Sequence, residues 1–421
     1  MRVLIVSQYF WPERFLVNDL ATALKARGHE VTILTGRPNY PEGRFFPGHG
    51  FWGPARDEFE GIPIVRVPLV PRGRGGPVRL ALNYLSFAFF ASLLGPVRLR
   101  QPHDLIFVFA PSPLTATFPA LALRALWRRP VLLWLQDIWP DSVEVLGGRT
   151  GAWMAPWLKR LSSFLYRRCD RVLVQSRAFV PRLRELGVPE DRVKYLPNWA
   201  EDLYGPGDPA KPSAVTGELP NGFRILFAGN LGAAQSLETI VEAAVALRDI
   251  RDVHWVIVGD GRRRPWLADQ VARLGLGDTV HLLGSRPLED MPAWFASADA
   301  LLVTLAPARL FALTIPSKVQ SYLAAGRPIV GALDGEGARV IAEANAGVTV
   351  PAGAGADLGR AVMSLRDMPA AERAAMGWGG RQYFERHFRR DSLIDRLEAT
   401  MREVTEKWKG AVPRSHRPGT G

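Results

Sequence analysis

Short apolar runs alternate with amphipathic segments along this chain, and this alternation constrains the fold more than any other feature of the sequence. Arg2–Ser7 and Glu30–Thr35 have the composition of buried strands. Between them, Leu16–Arg27 carries apolar residues at helical spacing and ends at Gly28. A strand–helix–strand order favours a parallel sheet with helices on both faces. The same order restarts at Arg224–Ala228, which predicts a second sheet of the same kind.

Two such sheets predict two domains. After Trp199 the composition shifts towards Pro, Gly and Asp, as in a linker. We therefore expect an N-terminal domain over residues 1–200 and a C-terminal domain over residues 201–380. Helices are expected over residues 381–409, and a disordered tail over residues 410–421.

The excess positive charge of the chain lies in its N-terminal half. The net charge is +12, and residues 1–200 contain 27 Lys and Arg against 15 Asp and Glu, whereas residues 201–421 contain 26 of each. A one-sided basic surface predicts an anionic partner such as a membrane or a phosphorylated lipid, with a merely solubilising surface as the alternative. No recognisable nucleic-acid-binding module accompanies the charge, so nucleic acid is not expected as a partner.

The segment Leu80–Leu94 is apolar nearly all round, with Arg72, Arg74 and Arg79 before it and Arg98 after it. It is too short for a comfortable membrane span. The segment therefore predicts either a buried core helix or a helix in the plane of the membrane interface, with its basic ends at anionic headgroups.

A phosphate site is predicted at the start of a helix that has Pro316 in its first turn, or Ser317 as its N-cap if the helix begins slightly later. Apolar residues recur at helical spacing from Val319 until Gly326 ends the helix, and Ser317 is of N-cap type. Lys318 lies in the first turn, so an ammonium group, free N–H groups and the positive end of the helix dipole would meet there. A capped surface helix with a solvated lysine is the alternative.

A second phosphate-binding element is predicted in the small turn Gly229–Ser236, because backbone N–H groups in such a turn can surround an anion. At the first strand–helix junction, by contrast, the pattern GxGxxG is absent. A nicotinamide or flavin dinucleotide site is therefore not expected there.

Polar residues also follow strands in the N-terminal half. Asp137 comes directly after the strand Val131–Leu135, at the edge where open α/β sheets bind ligands, although a turn-forming role is the alternative. Asp141 and Glu144 are weaker candidates at the same edge. We also assign two residues after the first strand, and a long loop, to the part of the ligand site that would bind an acceptor substrate. These are Glu13, Arg14 and residues 36–59.

As a set, four stretches are similar to motifs of the GT-B glycosyltransferases of family four, and the match extends over most of residues 1–400. They are Arg27–Gly36, Tyr195–Asn198, Gly259–Gly261 and Pro316–Pro328. The variants Gln136–Pro140 and Ile315–Tyr322 resemble the branch that includes bacterial L-fucosamine transferases of surface-polysaccharide assembly. The resemblance implies an α/β fold of GT-B type. Two Rossmann-like parallel-sheet domains would face a cleft, and the C-terminal helices would pack back towards the N-terminal domain.

The resemblance also implies roles for single residues. Lys318 would bind the donor diphosphate with Arg264 as a second cation, and Asp137 stands where the family has an acceptor-side His or Asp. These three residues form the expected catalytic set. The expected donor-binding positions are Gly229, Asn230, Gly232, Gly284, Arg286, Ser317, Ser321 and Glu336.

The chain departs from the family where the family carries two glutamates eight positions apart. Those positions are Leu313 and Ser321 here, whereas the family's glutamates contact the donor sugar and the ribose. Thr314 or Glu336 is expected to take over the sugar contact. The departure leaves a divergent enzyme and an inactive relative both open.

The implied activity is retaining transfer of a sugar, such as an N-acetylated amino or deoxy sugar, from a uridine diphosphate sugar. The acceptor would be a polyprenyl-diphosphate-linked sugar or a glycan, and the enzyme would be cytoplasmic and peripheral on the inner face of the plasma membrane. No metal or other cofactor is expected, because Asp-x-Asp is absent and a cationic clamp can stabilise the leaving diphosphate. A nucleotide-sugar 2-epimerase and an inactive scaffold of the same fold are the alternatives.

Overall fold

The structure is a computed structural model that describes residues 1–73, 76–200, 204–205 and 219–411, without the side chains of residues 142–154 and 411. Arg74 lies outside the described residues, as does most of the predicted tail. Only Gly410 and Ala411 of that tail are described, and they end the last helix.

The chain divides into two compact units, Met1–Leu196 together with the chain from Ile394, and Pro197–Leu393. The N-terminal unit contains an eight-stranded sheet in the order β3-β4-β2-β1-β5-β6-β7-β8. Its strands are β1 (Arg2–Val6), β2 (Glu30–Gly36), β3 (Arg56–Phe59), β4 (Ile62–Val67), β5 (Leu105–Ala110), β6 (Val131–Leu135), β7 (Arg171–Val174) and β8 (Val193–Tyr195). All neighbouring strands are parallel except β3, which runs antiparallel to β4.

Helices connect these strands and cover the sheet. They are α1 (Leu16–Ala26), α2 (Pro77–Arg98), α3 (Thr117–Trp127), α4 (Asp141–Arg168) and α5 (Phe179–Glu185). Every residue of β5 and β6 is buried, as expected for central parallel strands that are covered on both faces. The sequence order changes direction between β1 and β5, so the ligand-binding crevice of this unit is expected beyond their carboxyl ends.

The C-terminal unit repeats this plan with six parallel strands in the order β11-β10-β9-β12-β13-β14. The strands are β9 (Phe223–Ala228), β10 (Val253–Val258), β11 (Val280–Gly284), β12 (Ala300–Thr304), β13 (Ile329–Ala332) and β14 (Gly347–Val350). The helices are α6 (Leu237–Ala246), α7 (Arg264–Arg273), α8 (Met291–Ser297), α9 (Arg309–Ala312), α10 (Ser317–Ala325), α11 (Glu336–Glu343), α12 (Gly355–Asp367) and α13 (Ala370–His387).

The last two helices pack on different units. Helix α14 (Arg390–Ala411) is bonded to the N-terminal unit, where Glu398 accepts a hydrogen bond of 2.6 Å from His29 and the Trp408 indole donates one of 2.8 Å to the Arg128 carbonyl. Helix α13 instead packs on α10, where a Cβ at Gly377 would lie 2.2 Å from a backbone oxygen. The predicted return of the C-terminal helices to the N-terminal domain therefore holds for α14 and not for α13.

Two local predictions need correction. Residues 36–59 are not one loop, because Arg56–Phe59 pairs with β4 as an edge strand. The apolar segment extends to a 22-residue helix, α2, which by length and composition alone could cross a membrane. One side of α2 is buried and the other is exposed, so α2 is not a fully buried core helix, and its position in a membrane interface stays a prediction.

Candidate functional site

A cavity of about 530 Å³ opens beyond the carboxyl ends of β9 and β10 in the C-terminal unit. Its described lining residues come from the ends of these strands and the turn after β9, from the segment after β11, from α8 and α10, and from the linker before β9. They are Tyr204, Ala228, Gly229, Asn230, Gln235, Val258, Gly259, Asp260, Ser285, Arg286, Leu288, Met291, Phe295, Ser317, Lys318, Ser321 and Tyr322. The cavity thus lies where a doubly wound sheet is expected to bind a ligand.

Two glycines allow the strand ends to approach each other beside this cavity. Gly229 follows β9 with φ +128°, and Gly259 follows β10 with φ +142°. A Cβ on Gly259 would lie 1.9 Å from the carbonyl oxygen of Gly229. No side chain fits there, so glycine is required for the backbone to pass so closely.

The predicted backbone anion site in this turn is partly occupied by the fold itself. The N–H of Gly229 donates to Val258 O and the N–H of Leu231 donates to Asp260 O, both at 2.8 Å. Two of the four N–H groups of Gly229–Gly232 are therefore committed to other partners. Binding of an anion in the cavity therefore depends more on contacts with α10 than on this turn.

Helix α10 begins within one residue of the predicted start, although Pro316 lies just before the first turn and Ser317 is not the cap. Pro316 is the capping residue in an extended conformation, Ser317 is the first helical residue, and no side chain caps the helix. At the other end Gly326 adopts φ +67° and stops the helix. The hydroxyl of Tyr322 accepts a hydrogen bond of 3.1 Å from the N–H of Ala228, which ties α10 to the end of β9.

Lys318 lies one turn before Tyr322 and therefore on the same side of α10. Its ammonium nitrogen is buried, has no hydrogen-bond partner among the described residues, and lies 3.5 Å from the centroid of the Phe227 ring. Burial lowers the pKa of Lys318 to about 7. A buried cation without an anionic partner is costly, so the site is well suited to bind a negatively charged ligand.

The structure brings together six of the predicted donor-side residues. Gly229, Asn230, Arg286, Ser317, Lys318 and Ser321 all line the cavity. Four others are absent from this described lining, namely Gly232, Gly284, Arg264 and Glu336. The carboxylate of Glu336 is held by Arg339 through hydrogen bonds of 3.0 and 2.9 Å, so it is committed to an ion pair within its own helix. Thr314 and Leu313 are not among the lining residues either.

Sequence reasoning missed an aromatic wall of this cavity. The ring of Tyr204 stacks on Phe295 with a centroid distance of 5.4 Å, and Phe295 meets Tyr322 edge to face at 5.3 Å. Arg286 lies over the Trp294 ring at 5.4 Å. Phe295 could have been predicted as a lining residue, because it lies on the helix that follows Gly284-Ser-Arg286. Tyr204 could not, because it lies in the linker, where no periodic pattern marks it.

In the N-terminal unit, Asp137 follows β6 at the carboxyl edge of the sheet, as predicted. Its side chain is largely buried, and this burial raises its pKa to about 6. Asp141 has a different environment, because it pairs with Arg182 at 2.9 Å. The side chain of Glu144 lies outside the described residues.

Glu13 is buried and acts as a structural link between two loops. One carboxylate oxygen accepts hydrogen bonds of 2.7 Å from the N–H groups of Asn39 and Tyr40, and the other accepts one of 3.3 Å from Phe10. Burial raises the pKa of Glu13 to about 7, although the three N–H groups act in the opposite direction. Arg14, by contrast, is exposed.

Beside Glu13, an arginine is held by aromatic rings at the same edge. The guanidinium group of Arg72 donates to the hydroxyl of Tyr9 at 3.1 Å and lies 5.8 and 5.0 Å from the ring centroids of Tyr9 and Tyr40. The Arg72 N–H donates to the Asn39 side chain at 3.0 Å. The rings come from separate loops, so their proximity was not predictable from spacing along the chain.

Among the described residues there is no group of three or more His, Cys, Asp or Glu side chains that could hold a metal ion. Two positively charged side chains, Lys318 and Arg286, and one carboxylate, Asp260, line the described part of the cavity.

Two family models match the chain in succession. The glycosyl transferase 4-like domain matches residues 15–199, and the glycosyl transferases group 1 model matches residues 222–367. Among curated proteins, the putative colanic acid biosynthesis glycosyl transferase WcaI of Escherichia coli K12 is 28% identical over 340 residues, which are 77% of this chain and 82% of that protein. The probable glycosyltransferase WbjE of Pseudomonas aeruginosa is 25% identical over 342 residues, covering 78% and 81%.

Solved structures show the same fold at low sequence identity. Anabaena Alr3699/HepE in complex with UDP is 17% identical with a TM-score of 0.69, covering 96% of this chain and all of that chain. Sucrose-phosphate synthase from Thermosynechococcus elongatus is 17% identical with a TM-score of 0.74, covering 97% and all of that chain. The GT-B fold predicted from the sequence is confirmed.

Proposed function

Because this chain belongs to the GT-B glycosyltransferases, with a glycosyl transferase 4-like domain followed by a group 1 domain, we propose that it transfers a sugar from a uridine diphosphate sugar to a lipid-linked or polysaccharide acceptor. The observation that carries this proposal is the buried ammonium group of Lys318, which has no hydrogen-bond partner among the described residues and lies in the donor cavity. Solved complexes of Alr3699/HepE with UDP and with UDP-glucose support the choice of donor.

The donor cavity supplies what a departing diphosphate needs. Negative charge builds on that group as the bond to the sugar breaks, and charges held in place beforehand stabilise it without reorganisation. Lys318 provides the positive charge, and the first N–H groups of α10 lack partners within the helix. We therefore expect diphosphate departure to depend on Lys318 and to need no metal ion.

On the acceptor side we assign Asp137 as the group that accepts the proton of the attacking hydroxyl. A base is most effective when its pKa lies near the working pH, and burial brings the pKa of Asp137 to about 6. The transfer is proposed to retain the configuration of the sugar through a front-face route that uses no enzyme nucleophile.

The relatives support a place in surface-polysaccharide assembly, such as the synthesis of O-antigen, capsule or exopolysaccharide. The E. coli relative is described as a putative enzyme of colanic acid biosynthesis. We therefore propose a polyprenyl-diphosphate-linked acceptor, an N-acetylated amino or deoxy sugar as the transferred group, and a peripheral position on the inner face of the plasma membrane. Membership of the L-fucosamine transferase branch stays a prediction.

The first test is a thermal-shift comparison of wild type, Lys318→Met and Lys407→Met with UDP. Lys407 is exposed on α14 and pairs with Glu403, so its substitution removes one lysine charge away from the cavity. We expect UDP to stabilise wild type and Lys407→Met, and the stabilisation to disappear in Lys318→Met.

Product analysis with UDP-sugars then separates the possible activities. Transfer that requires an added polyprenyl-diphosphate-linked sugar supports the proposal, whereas conversion of the donor without any acceptor would identify an epimerase. If no nucleoside diphosphate stabilised the wild type, the donor site would be refuted and the inactive scaffold would become the favoured alternative.

A further inference from the structure

Helices α2, α3 and α4 form one face of the N-terminal unit, which we call the α2–α4 face. They connect β4 to β5, β5 to β6 and β6 to β7, and each connection moves in the same direction across the sheet. Right-handed crossovers place such helices on the same side of a sheet. Helix α3 contacts both of its neighbours, so the three form a continuous layer.

The outer side of α2 is an apolar stripe. Six large hydrophobic side chains, between 47% and 80% exposed, follow each other at intervals of three or four residues, which keeps them on one side of the helix. They are Val78, Leu82, Leu85, Phe89, Leu93 and Val97. The opposite side, with Asn83, Phe87 and Ala91, is buried in the unit. The stripe therefore cannot turn inward without breaking the fold.

The other two helices extend this apolar surface and add positive charge. Leu126 on α3 is exposed, as are Trp157 and Phe164 on α4. The guanidinium groups of Arg160 and Arg168 lie 5.5 and 4.9 Å from the centroids of these two rings. Amphipathic aromatic rings beside basic groups are typical of the boundary between lipid headgroups and acyl chains.

The sequence of this region is strongly basic. Residues 61–136 contain nine arginines and one acidic residue, Asp104, and no acidic residue lies between Glu144 and Asp170. Two of these arginines are paired with acidic residues, Arg66 with Asp57 and Arg124 with Asp170. Four basic residues near the end of α4 are exposed, namely Lys159, Arg160, Arg167 and Arg168. An anionic surface complements such a face, whereas a second copy of the same face would bring arginines against arginines.

We propose that the α2–α4 face lies on an anionic membrane, with α2 parallel to the bilayer and its apolar stripe in the boundary between headgroups and acyl chains. An in-plane helix fits better than a spanning one, because the buried side of α2 is part of the core of the unit. At 22 residues, α2 is about 33 Å long, so the contact is extended.

This orientation has a consequence that rests on the proposed function. Helix α2 starts beyond the carboxyl end of β4, close to Arg72, and Asp137 follows β6 at the same edge of the sheet. With α2 on the membrane, that edge lies beside the headgroups, where a lipid-linked acceptor would present its sugar. Membrane binding itself does not depend on the sugar transfer.

The test is co-sedimentation of the full-length protein with vesicles of phosphatidylcholine alone or with about one third phosphatidylglycerol. The stripe variant is L85Q/F89Q/L93Q, and its control replaces exposed hydrophobic residues of the other unit, L274Q/W378Q. The charge variant is K159Q/R160Q/R167Q, and its control, R251Q/R273Q/R360Q, removes the same number of charges from exposed positions of the C-terminal unit. All these side chains are exposed, so folding is expected to be preserved.

We expect wild type to bind the anionic vesicles and to lose affinity as salt rises from about 0.1 to about 0.5 M. The stripe and charge variants should each bind at least about tenfold more weakly, and both controls should bind like wild type. A circular-dichroism spectrum and a thermal unfolding transition like those of wild type would show that the stripe variant is folded, whether or not UDP binds. Wild type that ignores anionic vesicles, or that forms dimers which the stripe variant abolishes, would overturn the proposal.

Discussion

The ammonium nitrogen of Lys318 lies 3.5 Å from the centroid of the Phe227 ring, so the cation faces an aromatic ring. An aromatic face attracts a cation, but it replaces water only in part. Burial therefore lowers the pKa of Lys318 to about 7. A bound diphosphate would supply the missing negative charge and raise the pKa again, which couples donor binding to protonation of this lysine.

The first prediction concerns this coupling. Above about pH 7 the free protein must take up a proton on Lys318 when UDP binds, so the Kd for UDP should rise about tenfold per pH unit. Titration calorimetry between about pH 6.5 and 8.5, in buffers of different ionisation enthalpy, measures both the affinity and the proton uptake.

Lys318→Arg is the matched control, because a guanidinium group stays charged across this range. Its UDP affinity should be flat with pH, even if it is weaker overall. A pH-independent Kd in the wild type would show that Lys318 is not the group that titrates on binding.

The second prediction separates activity from stability at Asp137. Burial raises the pKa of Asp137 in the folded protein from its ordinary value of 3.8 to about 6, so the wild type loses stability as the pH rises through this interval. The free energy of unfolding of Asp137→Asn should therefore equal that of wild type near pH 4 and exceed it by about 1–3 kcal/mol near pH 7.5. The rate of sugar transfer by this variant should fall about a hundredfold or more. Urea denaturation and initial rates measure the two effects.

Asp141→Asn tests whether this gain in stability is specific to Asp137. Asp141 pairs with Arg182 at 2.9 Å, so removing its charge should lower the free energy of unfolding at the same pH. Equal stability changes in the two variants would contradict the assigned environments.

The third prediction concerns Glu13, whose carboxylate links the loops at Phe10 and at Asn39–Tyr40. In Glu13→Gln the amide nitrogen would face one of these N–H donors, so the free energy of unfolding should fall by about 1–3 kcal/mol. Because the wild-type pKa is raised from 4.5 to about 7, the wild type loses stability from this group as the pH rises through that interval. Urea denaturation should thus show a larger difference in the free energy of unfolding between wild type and Glu13→Gln at pH 5 than at pH 8. If the two proteins were equally stable at both pH values, this role of Glu13 would be ruled out.

The fourth prediction contrasts two glycines that both have positive φ. A Cβ on Gly229 would lie 2.8 Å from Cε of Lys318, the flexible end of a side chain, whereas a Cβ on Gly259 would lie 1.9 Å from the backbone oxygen of Gly229. Gly229→Ala should therefore fold and bind UDP about tenfold more weakly, while Gly259→Ala should lose about 2–4 kcal/mol of stability. Thermal unfolding with and without UDP distinguishes the two, and a stable Gly259→Ala protein would contradict the close approach.

The success and failure of the sequence predictions follow from the range of the interactions involved. The place of Lys318 in the first turn of a helix was predictable because Pro316 and Gly326 mark the ends of that helix, and both signals act within a few residues. Glu336 was assigned to donor binding, but it pairs with Arg339, one turn further along the same helix. Nothing in the spacing of the chain distinguishes a carboxylate that faces a cavity from one that faces a neighbouring arginine.

By itself, the sequence determined the class of fold, the start of α10 and the basic character of the N-terminal half, because periodicity, helix ends and charge are properties of short stretches. Only the tertiary structure decided that Tyr204 and Phe295 form a wall of the donor cavity, that Glu13 links two loops, and that α2 buries one side and exposes the other. These outcomes depend on contacts between residues far apart in the chain, and the fold creates those contacts when parallel strands bring their carboxyl ends to one edge.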